Sequence, residues 1–383
     1  MEKFLTSVLR RFSDDRLTLP DKLAIATQND RIITAGSAEL AELAKDILRR
    51  LDISSIIAGV PSIHFAEYLL KRTPENLNCI VPRDSESITS LHDIPIIRNK
   101  DIDHNLAELV SERLKKRKGC IVEGLGIITS GSMTLEQAYI NWSSLFHASY
   151  IKYLEEVLAH GFLLSNEKEL LENFCDNWLL ELNCDQLEFN DIPLTNQDSI
   201  MAEMCRVGRY TVQLGLVDSF FGNISYISDN EILISQTSSR LDRLEGAIDP
   251  VPFDGSSTAG ITASSELPAH RAIAEATGCR TILHGHPKFP VVMGFQANKS
   301  SFDEIEEISG IPVVGGEGGQ GGLAESLPRA FKLTGANAVI AKGHGVFSIG
   351  SGNYRDAFKA LVDVELKCRS EFFRTLKKRT CQT

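Results

Sequence analysis

This sequence has no apolar run long enough to cross a bilayer as a helix: charged residues interrupt every window before the roughly 18–20 residues a crossing needs. Its first residues, Met1 to Arg11, mix charges into a short apolar stretch and carry no small-residue cleavage site, so no secretory leader is expected and the chain reads as cytoplasmic. Basic character is also lacking. Forty Lys and Arg stand against fifty-one Asp and Glu, a formal net charge of -11, and no basic block of the kind that neutralises phosphates occurs, so nucleic acid is not an expected partner. The eight cysteines, at 79, 120, 175, 184, 205, 279, 368 and 381, include no C-x-x-C pair, which argues against a disulfide framework and a thiolate zinc cage alike. Most read as small buried apolar side chains, with Cys381 an exposed tail thiol.

What is present concentrates in the last third. His284 and His286 lie in Leu283-His-Gly-His-Pro287, and His344 lies in Lys342-Gly-His-Gly345. The apolar run Thr281-Ile-Leu-His-Gly-His reads as a strand end, where period-two alternation turns both imidazoles to one side of a sheet. The third histidine sits between glycines after another apolar run, Ala338-Val-Ile-Ala341, so a second strand would deliver it to the same point. Three neutral imidazoles with an open fourth position describe a catalytic zinc site better than a structural one, which four protein ligands would close. Manganese or iron would suit the same donors.

At 383 residues the chain exceeds one ordinary core, and about 150 residues per domain suggests two. Self-similarity supports this. Ile94-Pro-Ile-Ile97, Asn105-Leu-Ala-Glu108 and Glu123-Gly-Leu-Gly-Ile-Ile-Thr-Ser-Gly131 recur in order as Ile311-Pro-Val-Val314, Gly322-Leu-Ala-Glu325 and Lys342-Gly-His-Gly-Val-Phe-Ser-Ile-Gly350. The offset is 217 at the first two landmarks and 219 at the third. A weaker echo sets Val60-Pro-Ser-Ile-His64 against Leu267-Pro-Ala-His270. His344 then aligns with Leu125 and the His-Gly-His run falls near Cys79-Ile-Val-Pro82, so the first copy lacks every candidate ligand. The expected organisation is a degenerate, metal-free domain over 1–160, a helical linker over 161–195 that includes the acidic amphipathic stretch 166–182, and a metal-binding domain over 196–383. The latter opens with a hairpin, Gly222–Ser228 and Glu231–Ser235 about a turn at Asp229-Asn230.

Glu266 sits in Thr262-Ala-Ser-Ser-Glu-Leu-Pro-Ala-His270, a hydroxyl-rich helix start. Beside a metal, a carboxylate left free can move protons. Asn223, Thr237, Ser238, Ser264 and Ser265 occupy three short loops with the donors to grip a phosphate or carboxylate without a P-loop. The run Gly315-Gly-Glu-Gly-Gly-Gln-Gly-Gly322 is either a mobile lid or a loop forced against another backbone.

Gly222-Asn-Ile-Ser225, Leu233-Ile-Ser-Gln-Thr237, Ser264-Ser-Glu266, His284-Gly-His286 and Gly343-His-Gly345, in this order across about 196 to 383, resemble the class II aldolase and adducin family. The resemblance implies an α/β fold, two related α/β/α domains with central, mainly antiparallel sheets. It also implies zinc on His284, His286 and His344, Glu266 as acid/base, and an anion site on Asn223, Thr237, Ser238, Ser264 and Ser265. The reaction it implies is metal-dependent lyase chemistry on a ketose phosphate or related sugar through a zinc-stabilised enediolate. A sugar-phosphate dehydratase or epimerase, or an adducin-like interaction protein without catalysis, are the alternatives. A homo-oligomer is implied as well. Two departures stand out: the family's phosphate loop usually reads Pro-Thr-Gly where this chain has Gln236-Thr-Ser238, and Tyr226 and Tyr354 fall in no motif that marks a proton donor.

Overall fold

A computed structural model describes residues 2–102, 105–190, 194–218, 220–297, 305–316 and 322–380. The chain divides into two compact units, Met1–Leu179 and Leu180–Thr383. Each is a mixed α/β unit built on one mainly antiparallel sheet. Among the described residues no helix is long and apolar enough to cross a membrane.

In the first unit, strands β1 (Thr18–Gln28), β2 (Ile32–Gly36), β3 (Ser55–Pro61), β4 (Cys79–Ile80), β5 (Ile94–Ile97), β6 (Gly119–Val122) and β7 (Gly126–Gly131) form a sheet of order β2-β1-β3-β7-β6-β5-β4. Among the described residues only β5 and β6 pair in parallel. Alternation along β3 sends Ile56 and Ala58 to one face, where Ala44 and Ile47 of α2 (Ala38–Leu48) and Val110 of α5 (Leu106–Leu114) close a core over them. The long helix α6 (Leu135–His160) starts at a capping box in which Thr134 accepts from the Gln137 amide, and it ends at Gly161. Helix α7 (Glu167–Asn177) is shorter than its sequence pattern and is packed into this unit through Phe174, whose ring lies 5.1 Å from Phe65. Its start is fixed by a buried ion pair: Arg72 donates to both oxygens of Glu167 at 2.6 and 2.8 Å, with the two side chains 2% and 0% exposed. Glu167→Ala would leave a buried guanidinium without its counter-charge and is expected to destabilise this unit by about 3–5 kcal/mol, read as a lowered denaturant midpoint.

The second unit begins its regular structure with α8 (Gln197–Gln213), whose N-cap Asn196 accepts from the Ser199 amide. Strands β8 (Asn223–Ile227) and β9 (Glu231–Ser235) pair as the expected hairpin. With β10 (Ile248–Pro252), β11 (Thr281–Gly285), β12 (Glu306–Ile308), β13 (Ile311–Val314), β14 (Ala338–Ala341) and β15 (Gly345–Gly350), they give the order β10-β9-β8-β11-β15-β14-β13-β12. One face is covered by α9 (Leu267–Thr277) and α11 (Leu323–Thr334), with Ile273, Leu327 and Ala330 packed on Ile282, Val339 and Phe347. Helices α8, α10 (Lys288–Gly294) and α12 (Tyr354–Thr380) contact the sheet and one another on its other side.

Apart from β10, the two sheets share one strand order, and their registers coincide. Thr281 lies opposite Gly350 and Gly285 opposite Val346, just as Ser55 lies opposite Gly131 and Gly59 opposite Ile127. The hydroxyls of Ser55 and Thr281 make equivalent bonds, to the carbonyls of Gly131 and Thr134 in one unit and of Gly350 and Asn353 in the other. This register corrects two pairings expected from sequence. His284, Gly285 and His286 correspond to Ala58, Gly59 and Val60, not to the neighbourhood of Cys79, and Val60-Pro61 corresponds to His286-Pro287, not to Leu267-Pro268. His344 remains opposite Leu125 in the comparison, since each directly precedes the strand that starts at Gly345 or Gly126.

Candidate metal centre and proton-transfer site

Strand β11 lies between β8 and β15, with His284 opposite Asn223 on one side and Phe347 on the other. Its β-branched and apolar residues suit a strand buried on both faces, and alternation turns His284 toward the α9 side while Gly285 turns toward Leu361 of α12. His344 sits in the tight connection between β14 and β15, where its amide donates to the Ala341 carbonyl at 3.0 Å. Gly345 permits that approach: a Cβ there would lie 2.4 Å from the Gly285 carbonyl and 2.9 Å from the His284 ring.

The three imidazoles converge as expected. One candidate ligand atom from each of His284, His286 and His344 lies within 4.8 Å of the others, and all three side chains are buried. Ring centroids are 4.5 to 4.9 Å apart. His284 Nδ1 lies 3.0 Å from the Val346 carbonyl, which can only accept, so Nδ1 carries the hydrogen and Nε2 is a bare acceptor. That Nε2 is buried and has no hydrogen-bond partner, and burial lowers the His284 pKa to about 4 despite the nearby Glu266 carboxylate. A neutral imidazole with an orphaned lone pair, aimed where two more converge, fits a divalent cation held by nitrogen donors.

Glu266 is the N-cap residue of α9, and its carboxylate reaches the imidazoles. Oε1 lies 2.7 Å from His344 Nε2, Oε2 lies 3.5 Å from His284 Nε2, and Oε2 accepts from the Asn223 amide at 2.7 Å. Burial opposes its ionisation, but His284, His344 and the Asn223 amide outweigh that and hold the carboxyl below its ordinary range.

The other sequence candidates fall at one edge of this centre. An isolated bridge joins Gln236 to Ala263, the Thr237 amide donates to the Thr262 carbonyl, and the Ser264 amide donates to the Ser235 carbonyl. Thr237 and Ser238 are thereby set beside Ser264 and Ser265. Ser238 takes a φ of 59°, the left-handed conformation that a glycine adopts more readily, so the loop keeps a glycine-like path without a glycine. The Thr237 hydroxyl donates to the Ala263 carbonyl, and Asn223 is turned toward Glu266. Tyr226 and Tyr354 are both 1% exposed; the Tyr226 hydroxyl donates to the Leu194 carbonyl, three register positions from His284. In the glycine run, a Cβ at Gly316 would lie 2.6 Å from the Lys342 carbonyl, the close backbone approach; residues 317–321 lie outside the described residues, as does Cys381.

Two buried residues that the sequence offers only as parts of motifs have no role legible there. His270, one turn beyond Glu266 on α9, places Nδ1 2.7 Å from the Ser225 hydroxyl, and both are 0% exposed. The i, i+4 spacing from Glu266 was the available signal. Burial, with His284 adding to it and Glu266 opposing, lowers the His270 pKa to about 3. His270 and His284 thus bind protons less readily folded than unfolded, where the reference is 6.5. The unfolded chain takes up more protons as pH falls below that reference, so stability is full above it and declines toward the folded values. Chelator-treated protein is expected to show a lower urea midpoint for the second unit near pH 5 than near pH 7.

In the first unit the corresponding positions are apolar. Asn223, His284, His286 and His344 are matched by Ala24, Ala58, Val60 and Leu125, and Ala58 and Leu125 pack into the α2–α5 core cluster. There β2 runs through Gly36 directly to the N-cap residue Ser37, so the segment 237–265 has no counterpart.

Residues 202–372 match the family model described as the class II aldolase and adducin N-terminal domain. No match was found among curated protein sequences. Among solved structures, the chain is similar to L-fuculose-1-phosphate aldolase from Thermus thermophilus, at 22% identity, with 48% of this chain and 98% of that one covered and a TM-score of 0.40. It is also similar to YgbL of Escherichia coli, at 21% identity over 46% of this chain and 89% of that one, with a TM-score of 0.38.

Proposed function

From a carboxy-terminal unit that carries a class II aldolase/adducin domain, we propose that the chain is a metal-dependent aldolase-type lyase that cleaves or forms a carbon–carbon bond in a ketose phosphate or related sugar derivative. The observation that carries the reading is the convergence of three buried imidazoles beside one half-buried carboxylate. His284, His286 and His344 would hold zinc, with manganese or iron as substitutes. When bound, such a cation supplies Lewis-acid polarisation of a carbonyl and charge stabilisation for the carbanion equivalent.

The chain's own residues supply the rest. Glu266, ionised at neutral pH and oriented by Asn223, accepts the proton released from substrate and returns it to product. Thr237, Ser238, Ser264 and Ser265 offer hydroxyls and amides at one edge for the substrate anion, with the Thr237 hydroxyl turning from the Ala263 carbonyl to donate to it. The imidazoles are almost wholly withdrawn from solvent and Glu266 for the most part, which strengthens each of these interactions. The catalytic domain of this reading spans 196–383, preceded by a degenerate copy over 1–160 and a connecting segment over 161–195 whose helix α7 packs onto that copy. The protein would act in the cytoplasm, without nucleic-acid or membrane partners. Since neither Tyr226 nor Tyr354 reaches the centre, the reading includes a homo-oligomer whose neighbouring copy completes the pocket.

Incubation with dihydroxyacetone phosphate and simple aldehydes is expected to give condensation that a chelator abolishes. Metal retention without condensation or exchange of substrate hydrogen for deuterium would point to a dehydratase or epimerase, and protein without metal to an adducin-like interaction role.

A further inference from the structure

The first unit is an internal control for the second. Apart from β10, both have the same strand order and register, so whatever both keep serves the fold, and whatever only the second keeps is not needed for it. The kept set includes the Ser55 and Thr281 hydroxyl bonds and the Gly126 and Gly345 close approaches, each of which would put a Cβ 2.4 Å from the carbonyl of Gly59 or Gly285. The set found only in the second unit includes the imidazoles, Glu266 and Asn223. It also includes a pair with no role so far: Ser225 and His270.

Their counterparts are both alanine. Ser225 lies opposite Ile282 as Ala26 lies opposite Ile56, and His270 is the fourth residue of an eleven-residue helix whose counterpart has Ala41 at that place. Ala26 and Ala41 are buried, at 0% and 7% exposure, so the first unit fills the same interior with apolar atoms. The second unit instead buries a hydroxyl and an imidazole completely, and leaves His270 Nε2 without a hydrogen-bond partner. An unpartnered polar nitrogen in an interior that alanine can fill is a cost to stability. Its retention calls for another reason.

Geometry gives one. Asn223 and Ser225 are two apart on β8 and point to the same side, toward α9. Glu266 and His270 are four apart at the start of α9, one turn above the other. The two hydrogen bonds, Asn223 to Glu266 at 2.7 Å and Ser225 with His270 at 2.7 Å, are successive rungs between one strand and one helix end. The upper rung touches the carboxylate and the lower rung fixes the turn that carries it. The His270 ring also lies 5.9 Å from Phe347, the ring stacked at 4.0 Å on His284, so the pair is packed beneath the same centre.

We infer that Ser225 and His270 form a positioning pair that sets where Glu266 presents its carboxylate to the three imidazoles. This rests on Glu266 as the proton-transfer group. Ser225→Ala and His270→Ala, the residues the first unit has, should retain wild-type metal content. Each should lower kcat roughly tenfold or more with little change in KM, the mark of a group misplaced for the reaction but not for binding. His270→Asn, whose side-chain amide reaches the place of Nδ1, should recover most of that loss.

Crystal structures of the metal-free proteins give a readout that needs no turnover. The Glu266 to His344 contact should be present in wild type and His270→Asn and broken or lengthened in the two alanine variants. If it is unchanged in Ser225→Ala and His270→Ala, or if kcat is unchanged where turnover is measurable, the inference is wrong. A fall in kcat that merely follows lost metal or a lower melting temperature, without rescue by asparagine, also overturns it. Should His270→Ala fail to fold, Ser225→Ala, a smaller change, decides alone. If wild type shows no turnover, the aldolase reading fails while the crystallographic comparison still tests the pair.

Discussion

Replacing His284 with alanine is expected to leave the purified protein without stoichiometric divalent metal and without metal-dependent activity. His284 has the clearest ligand geometry of the three: its Nδ1 hydrogen is committed to the Val346 carbonyl, and its Nε2 is buried with no hydrogen-bond partner. Removing it leaves two imidazoles, and the expected loss of affinity exceeds the roughly 10–100-fold that follows loss of an outer-shell partner. The fold should survive, because the corresponding first-unit residue is Ala58, in the same register and fully buried. Metal content by elemental analysis and far-ultraviolet circular dichroism together check this. Full metal occupancy in the variant would remove His284 from the ligand set.

Glu266→Gln carries the second large effect. Glutamine keeps the shape and can still accept from Asn223, but it cannot hold and return a proton at neutral pH. Loss of a positioned acid–base group typically costs about 10²–10⁴-fold in rate. kcat should therefore fall within that range while metal content stays at the wild-type value. The combination matters, because a structural glutamate would lose metal or stability along with rate. Retained turnover in Glu266→Gln would assign proton transfer to another group.

Much of this site is legible in the residues. The apolar run before His284 sets a strand, alternation sets the face, and the glycines around His344 permit the turn that brings it alongside. The pairing of the two halves was legible only where the chain between landmarks has equal length. The register gives differences of 217 from Val313 against Ile96 and 219 from Ile340 against Ile121, the same as the sequence offsets. At β11 and β3 the difference is 226, from Gly285 against Gly59. The letters shared there are an isoleucine, a glycine and a proline, Ile282, Gly285 and Pro287 against Ile56, Gly59 and Pro61, too little to fix an alignment once the spacing between landmarks has changed. Hydrogen-bond register supplies what the letters do not.

Ser225 and His270 were hidden for a different reason. A serine in an apolar strand and a histidine inside a helix are ordinary core residues taken singly. Their meaning lies in the packing of β8 against α9, which brings together positions 45 residues apart. The direction of the Asn223 amide is of the same kind. Sequence offers it as an anion donor, and the fold spends it on Glu266.

The most direct test of the account is the number and place of metal ions. Anomalous scattering from crystals of the purified, undepleted protein, with elemental analysis of the same batch, should show one divalent ion per chain, bonded to His284, His286 and His344, and none in the first unit. No ion after purification and reconstitution, or an ion bound elsewhere while these imidazoles carry none, would contradict it.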